Sequence, residues 1–472
     1  MANPHIKDYL HQRVHMIGIG GSSMSGLARM LLEKGYYVTG SDNLETYTTK
    51  GLRAMGIPVA IGHKAENVQD AGLIVYTVAV SADNAERVEA SRLGIPAIER
   101  AELLGQMMDG CPTAIGVCGT HGKTTTTSMI AQILMAEQVD PTIHIGGSLD
   151  VIGGNVRAGK GDIFLTEACE FNLSFMHLKP DVAVITNIDE DHLDFFRDID
   201  HIQSAFGDFL SLVPQGGTVI GNGDDARVIT LLRSLPSNTL TFGMDARSDV
   251  YPADLRYNEF GCGSFSLVTC GETLGHVSLQ VAGVFNVYNA LAALACAVSL
   301  GLDISIACDA IGAFHGAKRR FELTGIIDGV KLYHDYGHNP TEMQNAISIA
   351  KLQPHNRLWA VMQPHTFSRV KKMLPHYFTC TQEADITLVT DIYAAREKDP
   401  GDIFASDIIN GMRSHGVHAV HTPTFTDTES YLRSHWQPGD LVLTMGCGNI
   451  NQLNEQINEH EKYKQGGPEH AK

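Results

Sequence analysis

The sequence predicts an α/β protein with several domains. Apolar runs of four or five residues recur along the 472-residue chain, and stretches of helical composition separate them. Buried strands that alternate with helices are typical of parallel sheets. At roughly 150 residues per domain, this length suits about three domains. Turn-rich segments near 109 and just after Glu322 suggest domains of residues 1–109, 110–322 and 323–472.

Composition restricts the classes of function. The formal net charge is -18, which disfavours nucleic acid as a partner because no basic stripe could neutralise phosphates. The nine cysteines form no CxxC pair, as expected for reduced thiols. The N-terminus is polar, and no apolar run approaches the roughly 18 residues that span a bilayer. We therefore expect a cytoplasmic enzyme without membrane insertion.

The first βαβ unit has a glycine-rich turn. A strand over Val14–Ile17 leads into the turn 18–26, and a second strand ends at Asp42. The spacing is not GxGxxG, so NAD is weakly indicated, and a ligand with another diphosphate or a turn without any ligand stays open. A third strand, 73–77, precedes the polar loop 79–84 at the end where such sheets bind ligands.

The strongest local signal is a phosphate-binding loop at 119–124. A buried strand over 114–117 is followed by Gly-Thr-His-Gly-Lys-Thr and a threonine-rich helix. Glycines let backbone N–H groups approach a polyphosphate, while a lysine reaches the β- and γ-phosphates and a threonine hydroxyl ligates Mg²⁺. The usual first glycine would fall at 117, where Val117 stands, so the loop is a shortened variant.

Polar side chains follow the next two strands. Glu167 ends the strand 163–167, and Asn187 and His192 follow the strand 182–186. If both strands flank the phosphate-loop strand in one parallel sheet, these groups converge at one edge. Glu167 suits Mg²⁺, which prefers oxygen ligands. From chemistry alone, His192 is either a ligand or a helix-start residue.

Two further segments have two interpretations each. Asn286 and Asn289 stand before and at the start of an alanine-rich helix expected over 289–301. For these two amides, a capping role is favoured over contact with an adenine edge. The run 318–320 is either a solvated basic face or a set of cations that reach a γ-phosphate.

Two histidine-containing loops follow strands in the last third of the chain. The segments are His334-Asp-Tyr-Gly-His-Asn-Pro340 and Gln363-Pro-His-Thr-Phe-Ser-Arg369. Because both follow strands of the same αβ rhythm, we expect them to line one cleft.

Taken together, these strings resemble the Mur ligases, the ATP-dependent amino-acid ligases of bacterial cell-wall precursor synthesis. The resemblance covers about 14–454 and also includes Gly40-Ser-Asp42, Ser81-Ala-Asp-Asn84 and Arg319-Arg-Phe-Glu322. It implies an N-terminal Rossmann-like UDP-binding domain, a central P-loop ATPase-like domain and a C-terminal Rossmann-like lid. The branch it favours adds L-alanine to the carboxylate of UDP-N-acetylmuramate through an acyl phosphate.

The resemblance also implies site residues and the cofactors ATP and Mg²⁺. For the UDP-sugar these are Gly18, Gly20, Gly21, Ser22, Asp42, Ser81 and Asn84. For ATP they are Gly119, Thr120, His121, Gly122, Lys123, Thr124, Thr125, Asn289, Arg320 and Asp335. Mg²⁺ is expected at Thr124, Glu167 and His192, and the amino acid at His365 and Arg369. The expected catalytic residues are Lys123, Asn187, His192, Arg320 and His338.

Some positions depart from the family pattern. The segment 203–207 offers no lysine for carbamylation, the segment 169–172 reads Cys-Glu-Phe-Asn, and Asn339 replaces a common histidine. A ligase that attaches a whole tripeptide to the same UDP-sugar is the nearest alternative. An NAD-dependent oxidoreductase and a nucleotide-gated binding protein are alternatives from other classes. Alanine against glycine or serine, and the oligomeric state, stay open.

Overall fold

The computed structural model describes residues 4–191, 195–395 and 397–465. These form two compact units. The first comprises residues up to 255 with 265–278 and 285–314, and the second comprises 256–264, 279–284 and the chain from 315 onward. Within the described ranges, no helix is long and apolar enough to cross a bilayer.

The N-terminal part of the first unit is a parallel sheet with helices. Its strands are β1 (Arg13–Ile17), β2 (Tyr37–Asp42), β3 (Val59–Ile61), β4 (Leu73–Tyr76) and β5 (Ala97–Glu99). They are ordered β3-β2-β1-β4-β5 and all neighbours are parallel. The helices are α1 (Ser22–Glu33), α2 (Tyr47–Ala54), α3 (Ala85–Leu93) and α4 (Arg100–Met108). The order places the ends of β1, β2 and β4 together, as the first βαβ unit predicts.

The next sheet carries the phosphate loop. Its strands are β6 (Thr113–Cys118), β7 (Thr142–Leu149), β8 (Gly154–Arg157), β9 (Ile163–Glu167), β10 (Val182–Ile185), β11 (Thr218–Asn222), β12 (Asn238–Phe242), β13 (Val250–Tyr257), β14 (Cys262–Thr269) and β15 (Glu272–Ala282). The order is β15-β14-β13-β12-β11-β10-β6-β9-β7-β8. Because β9 and β10 flank β6 and run parallel to it, the predicted arrangement of these three strands is confirmed.

Five helices accompany this sheet in the described residues: α5 (Lys123–Ala136), α6 (Ile199–Leu210), α7 (Ala226–Leu232), α8 (Val284–Ser299) and α9 (Ile304–Gly312). Aspartate side chains begin three of them. Asp198, Asp225 and Asp303 each accept from first-turn N–H groups of α6, α7 and α9, which satisfies donors that a helix start leaves open.

The second unit contains a sheet of six strands in its described part. They are β16 (Glu322–Ile327), β17 (Val330–Asp335), β18 (Leu358–Met362), β19 (Ile386–Val389), β20 (Ala419–His421) and β21 (Leu441–Met445). Their order is β16-β17-β21-β18-β19-β20, with only β16 antiparallel to its neighbour. The helices are α10 (Pro340–Lys351), α11 (Phe367–Tyr377), α12 (Ala405–Ser414), α13 (Phe425–His435) and α14 (Asn451–Gln465).

The cores follow the sheets. Val14, Met16 and Leu27 pack between the first sheet and α1, and Phe175 stacks on Phe209 with ring centroids 4.6 Å apart beside the second sheet. In the second unit, Trp359 and Tyr377 are fully buried. The α/β fold class predicted from the sequence is confirmed by this architecture.

Candidate active site

The phosphate loop between β6 and α5 owes its shape to two glycines. Gly119 has φ +125° and Gly122 has φ +84°, in the region that favours glycine. A Cβ on Gly119 would lie 2.1 Å from the Thr186 hydroxyl. A Cβ on Gly122 would lie 2.5 Å from the amide oxygen of Asn289. Both glycines are therefore needed for the turn that starts α5 at Lys123.

Lys123 is held by three oxygen atoms. Its Nζ donates to the carbonyls of Gly119 at 2.6 Å and Thr120 at 2.9 Å, and it pairs with Glu170 Oε1 at 3.0 Å. Burial by itself would lower the pKa of Lys123, but the Glu170 carboxylate raises it above its usual value. Lys123 is thus a fixed cation, for which a phosphate has to compete with Glu170.

Thr124 and Glu167 supply oxygen atoms side by side. Thr124 Oγ1 donates to Glu167 Oε2 at 3.2 Å, while Glu167 Oε1 accepts from the Gly146 N–H at 2.6 Å. Mg²⁺ usually takes one or two carboxylates together with waters and phosphate oxygens. This pair fits that requirement. The third expected ligand, His192, lies outside the described residues.

The described residues contain no group of three or more histidine, cysteine, aspartate or glutamate side chains arranged to hold a metal ion. A threonine hydroxyl with one carboxylate leaves most positions around Mg²⁺ to other oxygens. Waters and substrate phosphate oxygens are common ligands of Mg²⁺ at such positions.

Asn187 shapes the phosphate loop. The His121 N–H donates to Asn187 Oδ1 at 2.9 Å, and Asn187 Nδ2 donates to the His121 carbonyl at 3.0 Å. Thr120 adds a contact, because its hydroxyl donates to the Asp189 carbonyl at 3.1 Å. His121 Nε2 lies 3.3 Å from Asp189 Oδ2, which lowers the pKa of that carboxyl. In this structure Asn187 contacts loop backbone, which is a positioning role.

Asn289 lies inside α8 rather than before it. The helix begins at Val284, so the favoured interpretation of Asn289 as a capping residue is wrong. Its Nδ2 donates to Asn286 Oδ1 at 3.1 Å, and its Oδ1 accepts from the Thr126 hydroxyl at 3.1 Å. Asn289 therefore joins α8 to the phosphate-loop helix. The half-buried Thr125, also expected at ATP, lies in the first turn of that helix.

The glycine-rich turn after β1 is tied to the end of β2. The Gly18 N–H donates to the Ser41 carbonyl at 2.9 Å, and the Gly20 N–H donates to Asp42 Oδ2 at 2.9 Å. A Cβ on Gly20 would lie 2.8 Å from the same carboxylate oxygen. The next residues start α1, since Gly21 is its N-cap and Ser22 its first residue. Asp42 thus orders the turn expected at the diphosphate.

The late glycine of this motif has a packing reason. A Cβ on Gly26 of α1 would lie 2.3 Å from Val156 Cγ2 of β8. Asn155 of β8 donates to the Ser22 carbonyl at 3.1 Å. The first half of α1 therefore packs closely against the edge of the second sheet, and this packing requires a glycine at position 26.

The loop after β4 ends in a helix cap. Asn84 Oδ1 accepts from the N–H groups of Glu86 at 3.0 Å and Arg87 at 3.4 Å, and the Ser81 carbonyl accepts from the Asn84 N–H at 3.2 Å. Glu86 is fully buried and accepts from Ser41 Oγ at 2.6 Å. Burial would raise the pKa of Glu86, but hydrogen bonds from His15, Ser41 and Asn67 lower it to about 2.

Sequence reasoning missed a polar chain between the first two sheets. Ser23 Oγ lies 2.8 Å from His144 Nε2 and accepts from Arg100 Nη1 at 3.2 Å. Burial lowers the pKa of His144 to about 3, so this imidazole is neutral at pH 7. Burial also lowers the pKa of Arg100. Arg100 and His144 are far from Ser23 in sequence and belong to no motif. Glu170, also missed as a site residue, lies three residues after Glu167.

In the second unit, Arg320 and Asp335 come together. Asp335 accepts from the Phe321 N–H at 2.9 Å and from the Gly337 N–H at 2.7 Å. Burial raises the pKa of Asp335, while the Arg320 charge opposes this. The Arg320 guanidinium carbon lies 4.9 Å from the centre of the Tyr336 ring. The basic run 318–320 is thus not simply a solvated face.

The two histidine loops meet at one edge of the third sheet. The His338 and His365 rings have centroids 6.0 Å apart at 70°, so the expectation that the loops converge is confirmed. His338 is buried, and its Nδ1 lies 3.1 Å from Glu342 Oε2. Burial would lower the pKa of His338, but Glu342 and Cys447 raise it to about 10. His338 is therefore a cation at pH 7.

His365 and Arg369 present buried polar atoms to the same region. Among the described residues, His365 Nδ1 and Arg369 Nη1 have no hydrogen-bond partner. Arg369 lies in the first turn of α11, where the helix start favours an anion. A guanidinium at such a position suits a carboxylate.

Comparison with known proteins places the chain in a family of ligases. Three family models match: "Mur ligase family, catalytic domain" at 13–111, "Mur ligase middle domain" at 117–297, and "Mur ligase, glutamate ligase domain" at 319–448. The UDP-N-acetylmuramate–L-alanine ligase of Caldanaerobacter subterraneus is 44% identical over 451 residues, which cover 96% of this chain and 98% of that protein. The chain belongs to the Mur ligase family.

Solved structures share the fold. The UDP-N-acetylmuramate–alanine ligase of Thermotoga maritima superposes with a TM-score of 0.83 at 27% identity, covering 96% of this chain and 100% of that one. A murein peptide ligase from Psychrobacter arcticus gives a TM-score of 0.76 at 24% identity, with 96% and 99% covered. The second likeness is one of fold alone.

Proposed function

We propose that this chain is an ATP-dependent ligase that joins L-alanine to the carboxylate of UDP-N-acetylmuramate during peptidoglycan precursor synthesis. The observation that carries the proposal is the convergence of Lys123, Thr124 and Glu167 at one edge of the second sheet. The 44% identity to an alanine-adding relative supports the choice of substrates.

The first step forms an acyl phosphate. A carboxylate oxygen of UDP-N-acetylmuramate attacks the γ-phosphorus of ATP, the bond to the bridging oxygen breaks, and ADP leaves. Lys123 would exchange Glu170 for the γ-phosphate and offset the charge that develops on the phosphoryl group. Asn187 and the two loop glycines keep the backbone N–H groups in place. Arg320, whose charge acts on Asp335, is proposed as a further contact for ATP.

Mg²⁺ is proposed as the cofactor that accompanies ATP. Thr124 and Glu167 are the described residues that would hold it, and their hydroxyl and carboxylate oxygens match its preference. When bound, the ion supplies positive charge to the phosphate oxygens.

The second step forms the amide. The alanine nitrogen attacks the acyl carbon, and the tetrahedral intermediate collapses with release of phosphate and loss of a proton from nitrogen. Arg369 is proposed to pair with the alanine carboxylate, and His365 lies four residues before it, in the loop that precedes α11. Exclusion of water would protect the acyl phosphate from hydrolysis.

The UDP-sugar is proposed to bind at the turn of residues 18–22. Its diphosphate suits the start of α1, where backbone N–H groups and the helix dipole favour an anion. Arg100, beside Ser23, adds a cation on the side that faces the second sheet. We therefore propose Arg100 as a further contact for an anionic group of this substrate.

A substrate panel tests the proposal. The protein is incubated with ATP, Mg²⁺ and UDP-N-acetylmuramate, with L-alanine, glycine, L-serine or a tripeptide as the amine, while phosphate release and product mass are recorded. We expect the fastest release with L-alanine. Preference for the tripeptide would favour the tripeptide-attaching branch instead. Phosphate release that does not depend on any amine would contradict the proposal.

A further inference from the structure

The C-terminal unit places a cysteine between two histidines. Cys447 lies two residues after β21, and His338 and His365 each lie three residues after β17 and β18. Because the sheet order is β17-β21-β18 and these strands are parallel, the three side chains come from adjacent strand ends. The His338 and His365 rings themselves lie with centroids 6.0 Å apart, and both act on the pKa of Cys447. No motif in the sequence joins these positions.

The backbone around Cys447 is fixed from both sides. Arg319 Nη2 donates to the Gly446 carbonyl at 3.3 Å and to the Gly448 carbonyl at 3.1 Å. A Cβ on Gly448 would lie 2.4 Å from Gln363 Oε1. The backbone on both sides of the half-buried Cys447 is therefore held in place beside the ends of β17 and β18.

The groups that face this thiol favour its anion. Burial would raise the pKa of Cys447, but the hydrogen bonds and charges of His338 and His365 lower it to about 6. The other charged or titratable groups close to this pair are Arg319, Tyr336, Glu342 and Tyr377. The Tyr377 hydroxyl donates to the His338 carbonyl at 3.2 Å, and the Tyr393 ring stacks on His365. At pH 7 the pair is a thiolate beside an imidazolium.

We propose that Cys447 is a modification site at which a small hydroperoxide oxidises the sulfur to a sulfenic acid and reversibly stops amide formation. The modification itself follows from the cluster alone, whereas its effect on turnover rests on the proposed function. Reactive cysteines generally lie in positively charged, partly exposed surroundings of this kind.

The chemistry balances within the cluster and the peroxide. The thiolate attacks one peroxide oxygen, the S–O bond forms and the O–O bond breaks. Hydroxide leaves and takes the proton of the His338 imidazolium, which gives water. Sulfur is oxidised by two electrons and the peroxide is reduced. A dithiol reverses the step, because it removes the oxygen as water and becomes a disulfide.

Oxidation of Cys447 would alter groups close to the proposed amino-acid site. An added oxygen on Cys447 would lie near His338 and His365. His365 in turn lies four residues before Arg369, the proposed contact for alanine. Oxidation would also replace an anion by a neutral group, and so change the charge of His338. We therefore expect oxidation to impair the step that uses the amine rather than acyl-phosphate formation.

Peroxide treatment tests the proposal. Purified protein is exposed to hydrogen peroxide, labelled with dimedone and mapped by peptide mass spectrometry, and each variant's ligase rate is compared with its own untreated rate. We expect the label on Cys447, at least a tenfold loss of activity and recovery with dithiothreitol. The treated rate of Cys447→Ala should equal its untreated rate, while Cys270→Ser, a change at an exposed cysteine, should lose activity like the parent.

A label on other cysteines alone, or equal loss in Cys447→Ala, would overturn the modification site. Labelling of Cys447 without loss of ligation would retain the site but overturn its effect on turnover. If no amine supports phosphate release even before treatment, the proposed function fails while the labelling result still stands.

Alkylation provides a measurement that does not depend on activity. The rate of Cys447 labelling by iodoacetamide should fall only about twofold from pH 8 to pH 6, given its pKa of about 6. In the urea-unfolded chain, ordinary thiols with a pKa near 8.5 should slow by roughly 75-fold over the same interval. The same steep fall in the folded protein would overturn the proposal.

Discussion

Two cysteines lie at or just beyond the carboxyl ends of strands in two different sheets, yet their surroundings differ. Cys118 is the last residue of β6, directly before the phosphate loop, and it is fully buried. Burial raises its pKa, and the Glu170 carboxylate adds to this. Cys447 follows β21, where the two imidazoles lower its pKa to about 6. The position at a strand end therefore does not decide the pKa of the thiol, whereas burial and the charges that face it do.

The two sheet edges on which these cysteines lie also differ in their charged groups. The edge near Cys118 is built around Lys123 and Glu170, which suits exchange of one anion for another. The edge near Cys447 is built around His338 and His365, and the charge of His338 depends on Glu342 and Cys447. We infer that the first edge is the place of phosphoryl transfer and that the second handles the amine.

The largest expected effect is at the first edge. Lys123→Ala should lower the rate of ADP formation by roughly a thousandfold, because the cation that offsets phosphoryl charge is lost. Binding of the UDP-sugar, measured by calorimetry, should change little. The matched control is Lys160→Ala, a change at an exposed lysine. A loss below tenfold for Lys123→Ala would mean that this edge does not carry phosphoryl transfer.

A change at the second edge should affect the KM for L-alanine and leave the KM for ATP nearly unchanged. Arg369→Ala should raise the KM for L-alanine by roughly a hundredfold, as expected when a charged hydrogen bond is lost. The KM for ATP should stay within twofold in steady-state assays. Lys371→Ala, on the same helix with an exposed side chain, serves as the control. An unchanged KM for alanine would remove Arg369 from the amino-acid site.

A smaller effect is expected where a side chain only shapes the loop. Asn187→Ala removes two hydrogen bonds to the His121 backbone and should raise the KM for ATP by roughly tenfold. The exposed Asn238→Ala is the matched control. A loss as large as that of Lys123→Ala would instead indicate that Asn187 contacts the reacting groups.

The smallest change concerns charge at the second edge. Glu342 stabilises the His338 imidazolium, so Glu342→Gln should lower the pKa of His338 and thereby raise that of Cys447. The midpoint of the Cys447 alkylation profile should move upward from about 6 by about one unit. Glu383→Gln, at an exposed glutamate, should leave it in place. A downward shift would contradict the assigned charges.

The sequence predicted the first edge well because its determinants are local. Six consecutive residues make the phosphate loop, and two buried strands beside it were recognised from their apolar runs. The start of α8 was placed too late, because Asn286 and Asn289 were interpreted as residues that cap the helix. In the structure both lie inside α8, and their side chains are hydrogen-bonded to each other. The cap that Asn84 forms on α3 was not predicted, and its expected place at the UDP-sugar stays a prediction.

The second edge was predicted only in part. Polar loops flagged His338 and His365, whereas Cys447 sits in Gly-Cys-Gly, a pattern without spacing information. Only the sheet order β17-β21-β18 brings it between them. Arg100 and His144 escaped for the same reason, because their contact depends on how α1 packs on β8. Local residue patterns do not show which strands and helices, distant in the sequence, pack against each other.

Trapping the intermediate tests most directly whether the two edges divide the reaction. Each variant is incubated with ATP, Mg²⁺, UDP-N-acetylmuramate and hydroxylamine without alanine, and the hydroxamate formed from the acyl phosphate is measured by mass spectrometry. We expect Arg369→Ala to form hydroxamate at a rate near that of the parent, and Lys123→Ala to form none. Equal loss in both variants would contradict the division of the reaction between the two edges.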